Sequence, residues 1–153
     1  MNYKFEKLNK DNFKSYLDYL KIAVKLEPEL MCSTEINEKE LYARLDDELN
    51  KQTTSLLAIL DDVVIGRIEY HFYACLQDGF RICYVDLLYV LPKYRKQHIA
   101  KKLFEEMIKD CIENNIDEIR LIRATNKNAN DFYNSFEDAN LSEVPFFRIN
   151  VNW

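Results

Sequence analysis

Hydrophobic positions recur along this chain with two periods. Early on the spacing is helical. Phe13, Tyr16, Leu17, Leu20 and Val24 fall on one face, Asp11 can cap the start, and Pro28 ends the run. A second helix is predicted over 37–50 from Leu41, Leu45 and Leu49, with acids and bases on its outer face. The period then shortens. SLLAIL and VVIGRIEYHFYACL, joined at Asp61-Asp62, predict an antiparallel hairpin, and Gly79 marks a second turn. FRICYVDLLYVL is apolar on both faces apart from Asp86, which predicts a central strand covered on both sides and stopped by Pro92. Ala100, Leu103, Phe104, Met107, Ile108 and Cys111 then restore the helical stripe from about residue 99 to 114. EIRLIRAT reads as a strand. Ala129, Phe132, Tyr133 and Phe136 give a short helix a buried stripe, opened by Asn126. In FFRINVNW, Phe147, Ile149, Val151 and Trp153 alternate with polar residues, predicting a final half-buried strand. With a first strand in 3–8, the order is β-α-α-β-β-β-α-β-α-β. That is an α/β (α+β) fold, a mixed sheet with helices packed on it.

Composition narrows the class. A chain of 153 residues is the size of one domain with a real core. Hydrophobic residues at 48% and charged residues at 31% are wrong for disorder. A net charge of -5 argues against nucleic acid as a partner and suits a cationic small molecule better. MNYKFEKLNKDNFK has no apolar segment of the secretory kind, and no apolar run approaches the ~20 residues that span a bilayer. A cytoplasmic protein with no membrane partner is the expectation. Cys32, Cys75, Cys83 and Cys111 form no CxxC pair, so they read as reduced, mostly buried thiols, with no metal site expected.

One stretch resists this ordinary picture. In PKYRKQHIAKKLFEEM, Lys93, Arg95, Lys96, Lys101 and Lys102 crowd the start of a helix, the end that carries partial positive charge. The first N–H groups of a helix have no internal partner and favour an anion. A basic cluster there becomes favourable once phosphate is bound. A solvated basic face is the alternative.

The same residues resemble a known family. YVDLLYVLPKYRKQHIAKKLF is similar to the acetyl-CoA-binding segment of the GNAT superfamily of N-acetyltransferases. There a strand and a Pro lead to an (Arg/Gln)-x-x-Gly-x-(Gly/Ala) loop that opens a helix; Arg95, His98 and Ala100 take the three defined positions. Asn126, Ala129 and Tyr133 match the family's Asn…Ala…Tyr pattern on a later helix. The resemblance implies a single domain over 1–153 with a mostly antiparallel sheet flanked by about four helices. It implies acetyl-CoA as co-substrate, its pyrophosphate held by backbone amides of Lys96, Gln97, His98, Ile99, Ala100 and Lys101. Its pantetheine arm would pair like an added strand with Leu88, Tyr89 and Val90. His98 stands where the family usually has glycine, and Lys96 where glycine also occurs; helical φ at both would make their side chains tolerable.

Two side chains are candidates for the chemistry. Tyr133 matches the position of a tyrosine that protonates the departing thiolate in the family; a packed tyrosine on an apolar stripe is the alternative. Asp86 is a lone carboxylate in an apolar run, and burial there would raise its pKa toward that of a general base. The pattern Tyr84-x-Asp86-x-x-Tyr89-Val90 resembles the polyamine-acetylating branch, where such an acid assists amine deprotonation. A structural ion pair with an Arg, or a solvated carboxylate, would explain Asp86 equally. Glu69 is the reserve base or a contact for a cationic acceptor, and Glu27 belongs to the acid-rich 25–40 region that builds the family's acceptor pocket. The expected activity is acetyl transfer to a primary amine of a polyamine- or aminoglycoside-like molecule. A catalytically silent acyl-CoA-binding module and a peptide N-acetyltransferase are the alternatives. The apolar C-terminal strand permits a homodimer.

Overall fold

The computed structural model describes residues 3–124, 126–146 and 148–149. The chain divides into two compact units, 1–121 and 122–153.

The first unit carries a five-stranded sheet in sequential order: β1 (Lys4–Lys7), β2 (Thr53–Leu60), β3 (Val63–Ala74), β4 (Arg81–Val90) and β5 (Glu118–Leu121). Neighbours are antiparallel except β4 and β5, which run parallel. Parallel strands need a long crossover, supplied here by α3 (Ile99–Glu113). The β2–β3 hairpin closes on Asp61 and Asp62 with φ of 49° and 62°, the two successive left-handed residues of a tight hairpin turn.

The sheet is covered on both faces, and strand alternation decides which residues go where. Helix α1 (Phe13–Leu26) buries Phe13, Tyr16, Leu17, Tyr19 and Ala23 against Leu57, Ile59, Val64, Tyr89 and Leu91. Helix α3 buries Ile99, Leu103, Phe104, Met107 and Cys111 on the other side, where the Tyr70 hydroxyl donates to Asp110 at 2.6 Å. Leu103 and Met107 are fully buried, so truncating either to Ala costs about 2–5 kcal/mol. Gly66 sits beneath the start of α3. A Cβ there would meet the Val90 side chain at 3.1 Å, the Tyr89 carbonyl at 3.4 Å and Ile99 at 3.5 Å.

Local detail departs from the sequence reading in several places. Helix α1 begins after Asn12, not Asp11. The Asn9 carboxamide organises that turn by accepting from the Asp11 and Asn12 amides. The second helix, α2 (Glu38–Arg44), is half the expected length. Asp47 accepts from the Leu49 amide at 2.9 Å and starts a separate 3-10 turn, which leaves Leu49 87% exposed. Among the four cysteines only Cys83 and Cys111 are buried, and Cys32 is exposed.

In the second unit, α4 (Lys127–Tyr133) is capped by Asn126, whose Oδ1 accepts from the Ala129 amide at 2.9 Å. Its predicted stripe is only half-buried, with Phe132 against Tyr133 and Phe136 edge to face. The expected last strand falls mostly outside the described residues (Phe147 and 150–153); Phe146, Arg148 and Ile149 are in no strand.

Candidate active site

The centre of the site is a change of pairing along β4. Against β3 the register runs Glu69–Leu87 and then Tyr70–Val85, so Asp86 is an extra residue. It is a β-bulge, which bends the strand and re-aims side chains. On its other side β4 pairs with β5 only from Ile82 to Val85, where β5 ends at Leu121. Beyond the bulge, residues 87–90 therefore have no strand neighbour on that side among the described residues. An extended ligand can add there by backbone hydrogen bonds. Leu88, Tyr89 and Val90 lie on this open stretch.

Pro92–Tyr94 form a 3-10 turn after β4, and the chain then reaches α3 through Arg95–His98. Lys96 and His98 both have φ of 61°. The condition under which side chains would be tolerable there, helical φ, is not met: both residues are left-handed, the conformation glycine adopts without steric cost. His98 is the N-cap of α3 and makes no side-chain cap. Left-handed residues leading into an uncapped helix start form a concavity of backbone N–H groups suited to phosphate. The donor set of residues 96–101 thus fits the pyrophosphate of acetyl-CoA.

Arg95, assigned to the same ligand by the family pattern, is held from within the protein. Its guanidinium pairs with the Glu27 carboxylate through Nη1 (3.0 Å) and Nη2, its Nε donates to the Val90 carbonyl at 2.9 Å, and it lies over the Tyr89 ring. The Tyr89 hydroxyl donates to Glu27 at 2.7 Å, and Tyr19 donates to the Tyr89 carbonyl at 3.1 Å. Arg95 holds the Glu27 carboxyl below the usual range, with burial opposing it. So Glu27, expected at the acceptor, fastens the end of α1 to the loop that leads into α3.

On the α1 side of the sheet lies a cleft of about 690 Å³. Its floor holds Arg67, whose Nη1 donates to the Tyr16 hydroxyl at 2.6 Å and to Glu69 at 3.1 Å, while Ser55 donates to the same Glu69 oxygen. Burial works against the Arg67 charge, and the Tyr16 and Glu69 oxygens outweigh it. Arg67 Nε is buried without a hydrogen-bond partner among the described residues. Glu35 and Glu40 line the rim with Cys32, Ser33 and Asn37. Glu69 is thus in the cleft, as expected of an acceptor contact. Arg67, Ser55 and Tyr16 were missed. An Arg two residues before an acid on one strand face was the available signal.

Contrary to expectation, Asp86 is not buried: its carboxylate is 41% exposed and lies 2.9 Å from His71 Nδ1. The bulge explains the exposure, because it turns the extra side chain out of the alternation. In the second unit, Tyr133 is half-buried, and burial pushes its hydroxyl pKa up. Asn126 and Ala129 are joined as cap and capped amide. Among the described residues no cluster of three or more His, Cys, Asp or Glu could hold a metal, and no helix is long and apolar enough to cross a membrane.

No curated protein matches the chain in sequence. Among solved structures, an aminoglycoside acetyltransferase, meta-AAC0020, from an uncultured soil metagenomic sample is similar in fold, with 17% identity, 98% of this chain and 97% of that one covered, and a TM-score of 0.80. The same enzyme has been solved with sisomicin. A ribosomal-protein-alanine N-acetyltransferase from Brucella melitensis biovar Abortus 2308 shares 16% identity over 97% of this chain and 100% of that one, with a TM-score of 0.75. Glucosamine-6-phosphate N-acetyltransferase from Arabidopsis thaliana shares 12% over 97% and 100%, at a TM-score of 0.73. These likenesses show the fold. The sequence pattern of the acetyltransferase (GNAT) family matches residues 20–137, most of the chain and the whole strand–loop–helix described above, and the chain belongs to that family.

Proposed function

We propose that this acetyltransferase moves the acetyl group of acetyl-CoA onto a primary amine of a small, polyamine- or aminoglycoside-like molecule by direct attack. The observation that carries the reading is the junction of two backbone sets, one with no strand neighbour on its outer side and one with no side-chain cap. The open half of β4, residues 87–90, leads through one turn to the uncapped, left-handed start of α3. The first set suits the amides of the pantetheine arm, and the second suits a diphosphate. When bound, acetyl-CoA supplies an activated thioester carbon.

The chain's own groups do the rest. Residues 96–101 orient the diphosphate, and Leu88–Val90 align the arm. Glu35, Glu40 and Glu69 give the cleft the acid that steers and holds a cationic acceptor. The amine must lose a proton before it attacks, a step assisted from Asp86. Tyr133, a phenol protonated at neutral pH and shifted further up by burial, gives a proton to the thiolate. The polyamine pattern around Asp86 and the fold likeness to an aminoglycoside acetyltransferase support a small amine.

The test is thiol release with acetyl-CoA and a panel of polyamines, aminoglycosides and peptides, with the acetylated product read by mass. A small amine is expected to saturate the enzyme, and Tyr133→Phe to lower kcat about 10²-fold with the KM for acetyl-CoA little changed. Saturation by a peptide alone, or binding of acetyl-CoA with no turnover on any acceptor, overturns the reading.

A further inference from the structure

The pair His71 and Asp86 is unaccounted for by the fold. His71 lies on β3 and Asp86 on β4, with Nδ1 and Oδ2 2.9 Å apart. Residues 69 and 71 point to the same face of β3, so His71 stands one row beyond Glu69, which lines the cleft with its cross-strand partner Leu87. The pair therefore lies just past the residues that line the cleft, next to the row where β4 loses its β5 neighbour. The bulge puts Asp86 there: with regular pairing this residue would take its turn in the strand alternation. His71 Nε2 has no hydrogen-bond partner among the described residues. The groups around the ring are Asp86 and Tyr84 on β4, Tyr73 and Glu69 on β3, and Thr53 on β2. Asp86 is the one that bonds the imidazole.

We infer that His71 is the general base of the transfer, and that Asp86 is its positioning residue rather than the base itself. The inference rests on the proposed amine acetylation. Asp86 accepts from Nδ1–H and so fixes the tautomer that leaves a lone pair on Nε2. A substrate ammonium seated between Glu69 and the bulge gives one proton to Nε2, and His71 passes it to water. The neutral nitrogen then forms the C–N bond as the C–S bond breaks. The second N–H proton leaves the new amide to water, and the thiolate takes up one proton and leaves as the thiol. Atoms and charge balance without a further reactant.

The experiment compares wild type, His71→Gln, His71→Ala and Asp86→Asn, using whichever amine of the panel the wild type saturates on. The expected result is a fall in kcat/KM of about 10²-fold for His71→Gln, with loss of the acid-side limb of the pH–rate profile. Added imidazole should restore part of the His71→Ala activity. Asp86→Asn should keep the limb but displace it, since it alters the imidazole without removing it. The thermal midpoint of each variant reports folding, and the imidazole rescue reads a chemical role that a merely structural residue would not show. A wild-type profile retained by His71→Gln, or a limb lost in Asp86→Asn and kept in His71→Gln, overturns the inference while the proposed function stands. Absence of turnover by the wild type overturns both.

Discussion

Two helix starts in this molecule solve the same problem in opposite ways. At α2, Asn37 Oδ1 accepts from the Glu40 backbone amide at 3.2 Å and Asn37 Nδ2 donates back to the Glu40 carboxylate at 3.3 Å, so two residues three apart satisfy the end locally. At α3, the longest helix among the described residues, the cap position holds a left-handed histidine with no side-chain capping bond, and Lys96, Lys101 and Lys102 are close to it in sequence. The first end is closed by the chain, and the second is left open, as the proposed diphosphate site requires. The difference separates a helix start built for stability from one that the proposed function gives to a ligand.

The sharpest way to break this contrast is to give α3 an acid. His98→Asp should weaken acetyl-CoA binding about 10²-fold by calorimetric titration, because a carboxylate competes for the same N–H groups and repels the diphosphate. Binding unchanged within twofold would place the diphosphate elsewhere. Next is the tie that sets the loop. Glu27→Gln should cost about 1–2 kcal/mol in denaturant unfolding at pH 7 by leaving Arg95 and Tyr89 half-paired. The sign with pH follows from the depressed Glu27 pKa: the wild-type advantage is full above the ordinary glutamate value and disappears as pH falls through the lower folded value. An advantage that grows in acid would contradict this pairing. Asn37→Ala should cost about 1 kcal/mol of stability and leave acetyl-CoA affinity alone. The smallest effect is His98→Gly. Relief of the left-handed strain, less the entropy glycine adds to the unfolded chain, should raise the melting temperature by about 2 °C or less.

The elements that were legible in the sequence are those fixed by short-range chemistry. The Asp61-Asp62 hairpin, the apolar stripe of α3 and the Asn126 cap follow from turn residues and spacing within one segment. What stayed hidden depends on residues far apart in the chain. Glu27 and Arg95 are 68 positions apart and were assigned to different ligands, yet they bind each other. The bulge at Asp86 is a property of two strands in register, so no pattern in β4 alone announces it. Its consequence, an exposed carboxylate beside His71, reversed the burial argument. The positive φ of Lys96 and His98 was obscured for a related reason: the conformation was carried by the loop's geometry, although neither residue is glycine.

The chain contains 2 glycines, and one of them, Gly66, lies in the middle of a strand. With no side chain at that point, β3 is locally thin, and Ile99 settles 3.5 Å from where a methyl group would be. The seating depth of α3 is thus gauged by one absent carbon. An alanine there would act as a shim beneath the helix, lifting its first turn away from the β4 edge and widening the distance over which the proposed co-substrate would reach from one to the other.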